Sequence, residues 1–89
     1  MNRRKLLRRL SRGALQDVAF RDFVSLVEGF GFRRDRTSGS HHIFVHVSIN
    51  AVINLQNVDG QAKPYQIRQF LRLVERYDLR LEEDRREGE

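Results

Sequence analysis

A proline-led amphipathic segment near the carboxyl end strongly restricts the fold of this chain. Apolar side chains follow Pro64 at the spacing i, i+3, i+4 and i+7, which places them on one face of a helix. They are Ile67, Phe70, Leu71 and Val74. Proline suits the first helical turn, because its missing N–H would be unpaired there. The sequence therefore predicts a helix over residues 64–77 that packs its apolar face on a sheet.

Three segments before this helix have the pattern of β-strands. In residues 43–47, Ile43, Val45 and Val47 alternate with His42, Phe44 and His46, which is the period of a strand with two different faces. Residues 51–56 predict a further strand, joined to it through a hairpin at residues 48–50. Residues 30–36 predict a preceding strand, followed by a turn at residues 37–40.

Two shorter amphipathic helices are predicted before the strands, over residues 3–11 and 21–28. Gly29 and Gly31 end the second helix. The element order is helix, helix, three meandering strands and a long helix. This order predicts an α+β fold of two layers, with helices packed on one face of a three-stranded antiparallel sheet and the other face open to water.

The length of 89 residues predicts one domain with one small core. We expect a basic helical segment at residues 1–13, a folded domain at 14–79 and a charged, disordered tail at 80–89. The chain has no cysteine, no apolar run long enough to cross a membrane and no apolar run typical of a signal peptide. These features predict a cytoplasmic protein.

The distribution of charge predicts a polyanionic partner. The formal net charge is +5, and residues 1–13 contribute six basic side chains and no acid. Arginine outnumbers lysine by fifteen to two, and its planar guanidinium is suited to phosphate. Nucleic acid is the predicted partner, and a solvated basic surface is the alternative.

The three histidines lie at positions 41, 42 and 46. They do not predict a metal site, because His41 and His42 point to opposite faces of a strand and His42 and His46 are roughly 13 Å apart at about 3.3 Å per residue. A neutral histidine can, however, accept a proton from a ribose hydroxyl. His41 follows a flexible turn, and Arg33, Arg34 and Arg36 across the hairpin are expected to reach the adjoining phosphate. A half-buried packing role is the alternative for this histidine.

Two other features are candidates for binding phosphate. Lys63 stands immediately before the predicted helix, where free N–H groups and the helix dipole attract anions. Arg68, Arg72 and Arg76 recur every four residues along that helix and form one basic ridge. Solvent screening of the ridge is the alternative explanation.

Three segments together resemble the HicA family of toxins from bacterial type II toxin–antitoxin systems. These are Gly29-Phe30-Gly31-Phe32, Gly39-Ser40-His41-His42-Ile43-Phe44 and Ala62-Lys63-Pro64-Tyr65-Gln66-Ile67-Arg68-Gln69-Phe70-Leu71. The resemblance covers roughly residues 20–80. It implies a fold like that of a double-stranded-RNA-binding domain, endoribonuclease activity on mRNA and inhibition by a HicB-like antitoxin that covers the active site.

The catalytic histidine of the family follows Gly-Ser, which implies His41 here, with His42 auxiliary. With the basic residues above, the candidate RNA-binding set comprises Arg33, Arg34, Arg36, Ser40, His42, Lys63, Arg68 and Arg72. No metal, small-molecule cofactor or membrane is expected to take part. A non-catalytic RNA-binding module is the alternative function, and a domain that binds an acidic protein is a weaker one.

Two departures from the family pattern concern positions outside this set. Many family members have a His-Pro-Asp-Gly-type turn after the second strand, whereas this chain has His46-Val47-Ser48-Ile49-Asn50. A different hairpin turn is therefore expected. The basic segment at residues 1–13 lies outside the family core, and its role in binding RNA, antitoxin or only solvent is left open.

Overall fold

A computed structural model describes the backbone of residues 2–87 and the side chains of residues 2–84. The elements in chain order are α1 Arg3–Ser11, β1 Val18–Ala19, α2 Phe20–Gly29, β2 Phe32–Ser38, β3 His41–His46, β4 Val52–Gln56, β5 Gln61–Ala62, α3 Pro64–Arg76 and α4 Glu82–Glu87. The helices predicted at 3–11, 21–28 and 64–77 are confirmed to within a residue at each end. The predicted strands are also confirmed: β2 lies two residues later than predicted, β3 begins two residues and ends one residue earlier, and β4 begins one residue later.

The central sheet is antiparallel in the order β2-β3-β4. A turn at Gly39 and Ser40 joins β2 to β3, and Gly39 has the positive φ of 59° that tight hairpins favour. The two-residue strands β1 and β5 form a separate pair, with Val18 opposite Ala62. This pair connects the start of α2 to the start of α3.

One face of the sheet is covered by helices, and the other is open. Phe44, at the centre of β3, is completely buried, and it shares its face with Ile53 directly across in β4. Phe70 of α3 packs against Phe23 and Phe30 with ring centroids 5.5 Å apart in edge-to-face geometry. The chain therefore has the predicted α+β fold, with a three-stranded antiparallel sheet and helices on one face, like a double-stranded-RNA-binding domain.

His46 shapes the corner before β2 and the connection after β3. Its Nε2 donates to the carbonyl oxygen of Phe30 at 2.9 Å, and its Nδ1 accepts from the N–H groups of Ser48 and Ile49 at 3.0 and 3.2 Å. A Cβ atom on Gly31 would lie 2.7 Å from the ring, and Gly31 has a φ of 95°. Glycine is therefore required at this corner, and β2 begins at Phe32 rather than at Phe30 as predicted.

Segments near both ends of the described residues pack on the domain. Leu6 and Leu10 of α1 and Leu81 before α4 are 1% exposed and belong to the core. Arg3 pairs with Glu83 at 3.3 Å, and Arg4 pairs with Asp84 at 2.9 Å. The acidic first turn of α4 thus lies against the basic helix α1.

Residues 82–87, which belong to the expected disordered tail, form the helix α4. A single buried leucine and two ion pairs order this segment, and neither produces a periodic pattern in the sequence. Of the predicted terminal segments, Met1, Gly88 and Glu89 lie outside the described residues. The division into segments at 1–13, 14–79 and 80–89 stays a prediction, although α1 and Leu81 contribute to the same core as the central segment.

We predict that His46→Ala lowers the free energy of unfolding by about 1–3 kcal/mol, because it leaves a carbonyl and two N–H groups without their partner. Urea denaturation followed by circular dichroism measures this change. His41→Ala is the matched control, and its effect should stay within about 0.5 kcal/mol because His41 is exposed. Equal losses in both variants would contradict the role given to His46.

Candidate active site

His41 is the first residue of β3 and lies on the open face of the sheet. Its neighbours across the ladder are Ser38 of β2 and Gln56 of β4. Because side chains alternate along a strand, the burial of Phe44 places His41, three positions earlier, on the opposite face. The side chain of His41 is exposed. An imidazole in this position is accessible to a ligand.

Asn54 of β4 contacts His41 on the same face. Its Oδ1 lies 3.4 Å from Nδ1 of His41, one step diagonally along the antiparallel ladder. If Nδ1 carries the proton and donates to Asn54, Nε2 is left with the lone pair. Asn54 can thus bias the ring toward the tautomer that accepts a proton at Nε2.

Asn54 is a site residue that the sequence pattern alone does not predict. The available signal was the polar side chain at position 54 between Ile53 and Leu55, which marks the open face of β4. The pairing of β4 with β3 was not fixed by the sequence pattern. The contact with His41 follows only from the register that the structure shows.

The three arginines of β2 divide between the two faces of the sheet. The register shifts between Arg34 and Arg36, so that Asp35 forms a bulge. Arg33 and Arg36 lie opposite Val45 and Ile43 and therefore share the open face with His41. A regular strand would have placed Arg34 and Arg36 on the same face. The bulge brings Arg36 to the face of His41.

Arg34 faces the helix side, which corrects the expectation that all three arginines meet one phosphate beside His41. It lies opposite Phe44, and its guanidinium carbon is 5.3 Å from the centre of that ring. All three arginines are exposed. The three strands of the central sheet contain one acidic residue, Asp35, so the open face has a positive balance.

His42 lies on the helix side and packs at the start of α2. Its ring centroid is 5.1 Å from that of Phe20, and its Nδ1 is 3.4 Å from the hydroxyl of Thr37. Burial lowers the pKa of His42 below its ordinary value of 6.5, and the charges of Arg34 and His41 lower it further. His42 therefore stays neutral at a pH where an unperturbed histidine is partly charged, but it does not share the face of His41.

The remaining candidates lie in the hairpin turn and in the helical layer. Ser40 is exposed in the turn, and its carbonyl oxygen accepts from the N–H of Asn57 at 3.0 Å. Lys63 is the half-buried residue that precedes α3. Arg68 and Arg72 are exposed on α3, which covers the other side of the sheet from His41. The structure thus places His41, Asn54, Arg33 and Arg36 on one face, with Arg36 nearer to His41 than Arg33, and it places Arg68 and Arg72 on a separate layer.

We predict that the ring of His42 titrates below pH 6.5, which nuclear magnetic resonance of its Cε1–H signal measures. Arg34→Gln should move the midpoint toward 6.5, because it removes a neighbouring positive charge. Arg33→Gln changes a charge on the opposite face and is the matched control. A midpoint above 6.5, or equal shifts in both variants, would contradict the environment described for His42.

The same pKa shift makes stability depend on pH. As the pH falls below 6.5, the unfolded chain binds a proton at His42 before the folded chain does, so the free energy of unfolding decreases. The contribution is constant above that range. His42→Asn should remove this part of the dependence in urea titrations performed between pH 7.5 and 5.

Comparison with known proteins identifies one family. The family model of the HicA toxin of bacterial toxin–antitoxin systems matches residues 20–75, which is more than half of the chain. No curated protein and no solved structure gives a significant match. Among the described residues, no helix is long and apolar enough to span a membrane, and no group of three His, Cys, Asp or Glu side chains could hold a metal ion.

Proposed function

The chain belongs to the HicA toxin family of bacterial toxin–antitoxin systems, whose members are in general ribonucleases, and we propose that it cleaves mRNA with His41 as the general base. The observation that carries this proposal is the open face itself: an exposed imidazole in contact with Asn54, with Arg36 opposite Ile43 and Arg33 opposite Val45 on the same face. His41 also follows Gly39-Ser40, as the catalytic histidine of the family does.

The proposed reaction begins at a ribose 2′-hydroxyl. Nε2 of His41 accepts the hydroxyl proton while the 2′-oxygen forms a bond to the adjacent phosphorus. The bond from phosphorus to the 5′-oxygen of the next nucleotide breaks, and that oxygen takes a proton from the imidazolium or from water. The products are a 2′,3′-cyclic phosphate and a 5′-hydroxyl.

Arg33 and Arg36 are the proposed phosphate ligands in this reaction. Negative charge grows on the phosphoryl oxygens in the transition state, and guanidinium groups stabilise it. Because the nucleophile is a hydroxyl of the RNA itself, the mechanism requires no metal-activated water. Arg34, Ser40, His42, Lys63, Arg68 and Arg72 remain proposed RNA contacts outside the central group.

The family implies a cognate antitoxin as the protein partner of this chain. We propose that this antitoxin is HicB-like and inhibits the toxin by covering the open face around His41. The cytoplasm is the proposed location, because it is where mRNA is available for cleavage. A membrane and a small-molecule cofactor have no part in the proposed reaction.

A second candidate function is a non-catalytic RNA-binding module. The exposed positions of Arg68 and Arg72 on the layer opposite His41 favour it, because a basic surface around the whole domain binds RNA without orienting one bond. This candidate predicts salt-sensitive RNA binding with no cleavage product at any protein concentration. The following experiment distinguishes the two.

We predict that His41→Ala lowers the rate of RNA cleavage in EDTA by about 10²- to 10⁴-fold, the usual effect of removing a general base. Cleavage of a labelled mRNA fragment by purified protein measures the rate. His42→Gln is the comparison variant and should lose much less activity than His41→Ala, because His42 lies on the other face and is at most an RNA contact.

Equal cleavage by His41→Ala and the unchanged protein would remove His41 from the mechanism. A larger loss of activity in His42→Gln than in His41→Ala would show that His41 is not the general base. Circular dichroism of each variant shows whether a loss of activity comes from a loss of fold.

We also predict a positioning effect of Asn54. Asn54→Ala removes the acceptor at Nδ1 of His41 and should lower kcat by roughly threefold to tenfold, the effect of one hydrogen bond, while KM changes little. Asn54→Asp keeps an acceptor oxygen and should restore most of kcat. A change confined to KM, or equal losses in Asn54→Asp and Asn54→Ala, would contradict the positioning role.

A further inference from the structure

The outer edge of β4 carries backbone groups that no strand pairs. β4 lies at the end of the sheet order β2-β3-β4. The odd-numbered residues of this segment bond toward β3: Ala51 accepts from His46 at 3.1 Å, and Asn57 donates to Ser40 at 3.0 Å. Because N–H and C=O groups alternate in direction along a strand, those of Val52, Asn54 and Gln56 point away from β3.

Gln66 of α3 already fills one position on this edge. Its buried side-chain amide donates to the carbonyl oxygen of Gln56 at 3.1 Å and accepts from the N–H of Gln56 at 2.8 Å. This is the bonding pattern that a paired residue of a further strand would supply. Gln66 therefore ends the free edge at Gln56, and the edge remains available at Asn54 and Val52.

A groove runs beside the available edge, between β4 and α3. It has a volume of about 510 Å³. Its lining residues are Val52, Gln69, Arg72, Leu73, Glu75 and Arg76. Val52 is 58% exposed, although its side chain is apolar. The groove thus combines an unpaired strand edge, an exposed valine and more basic than acidic side chains.

We propose that this edge and groove bind an extended acidic segment of the cognate antitoxin, which adds to the sheet as a strand next to β4. The proposal rests on the toxin function proposed above. The backbone edge determines that the segment is extended, because only a strand matches alternating N–H and C=O groups. The groove is lined by two basic side chains, Arg72 and Arg76, and one acidic side chain, Glu75. This positive balance favours a bound segment with acidic side chains.

A second copy of this chain is a less suitable occupant. Pairing β4 with β4 of another molecule would bring two sets of Arg72 and Arg76 toward each other, and like charges at an interface are unfavourable. RNA has no peptide N–H and C=O groups that could pair with the backbone of Val52 and Asn54 as a strand does. RNA binding in the groove is therefore an alternative that the test must separate.

The added strand would lie close to the proposed active site. Neighbouring strands are about 4.8 Å apart, so a strand beside β4 would lie roughly 10 Å from the backbone of β3, the strand that carries His41. Its side chains on the open face would be next to Val52 and Asn54, and Asn54 contacts His41. Docking at this edge would thus place antitoxin side chains over the face that RNA must reach.

The direct test is hydrogen exchange in the complex of this toxin with its cognate antitoxin. The amides of Val52 and Asn54 should exchange at least tenfold more slowly in the complex than in the free toxin, because both become bonded to the added strand. Unchanged exchange at both amides would overturn the proposal, and this measurement requires no variant.

Variants test the same surface by affinity. Val52→Pro removes one outward N–H and is compatible with an edge strand, and it should weaken antitoxin binding by about threefold to tenfold relative to its matched control Val52→Thr. Arg76→Glu should weaken binding at least tenfold at low salt, whereas Arg8→Glu on α1 should not. Equal affinity of Val52→Pro and Val52→Thr would overturn strand addition.

RNA cleavage by the free variants separates the remaining outcomes. If Arg76→Glu reduces cleavage and leaves antitoxin affinity unchanged, the groove is an RNA surface and the proposal is wrong. Val52→Pro should cleave RNA as the unchanged toxin does, because Val52 has no role in the proposed reaction. If the unchanged toxin does not cleave RNA, the proposed function fails, while hydrogen exchange still decides whether the edge binds the antitoxin.

Discussion

The complete burial of Phe44 determines the orientation of the whole β3 strand. Phe44 belongs to the core, and its two even-numbered neighbours, His42 and His46, share its face and pack against Phe20 and Phe32. The period of two then leaves His41 on the open face. A shift of one residue would bury His41 and expose Phe44, so the hydrophobic effect strongly disfavours it. The position of the candidate base is thus a consequence of core packing.

A bulge in β2 and the hydrogen bonds of His46 determine which side chains lie on each face of the sheet and how its strands are connected. The bulge at Asp35 turns Arg36 to the face of His41 and leaves Arg34 beside His42 on the other face. At the far end of β3, His46 organises the corner at Gly31 and the connection to β4. Two adjacent histidines and a third four residues later therefore have three different environments. One is exposed, one is kept neutral by burial and charge, and one bonds to the backbone.

The terminal segments change the expected charge of the surface. The sequence contains a basic segment at one end and acidic residues at the other, and the fold brings them together through Arg3, Arg4, Glu83 and Asp84. Part of the N-terminal charge is therefore paired within the molecule. The basic side chains near His41 come from β2 instead, and that strand has one acidic residue.

Much of the fold could be predicted from the sequence, because the periodic spacing of apolar residues indicates which side chains are buried. The spacing of Ile67, Phe70 and Val74 predicted α3, and the alternation around Phe44 predicted β3. Contacts between distant segments were not predictable in this way. The diagonal contact of Asn54 with His41, the bonds of Gln66 to β4 and the burial of Leu81 all depend on register or tertiary packing, which leave no periodic signal. The bulge at Asp35 is also not marked by a glycine or proline.

In the proposed reaction, the nucleophile is a ribose hydroxyl that His41 activates on the open face. Mass spectrometry of the ends that the toxin leaves on a defined RNA tests this claim most directly. Attack by the 2′-oxygen predicts 2′,3′-cyclic phosphate and 5′-hydroxyl ends. Fragments with 5′-phosphate and 3′-hydroxyl ends would show that water is the nucleophile and would contradict the account.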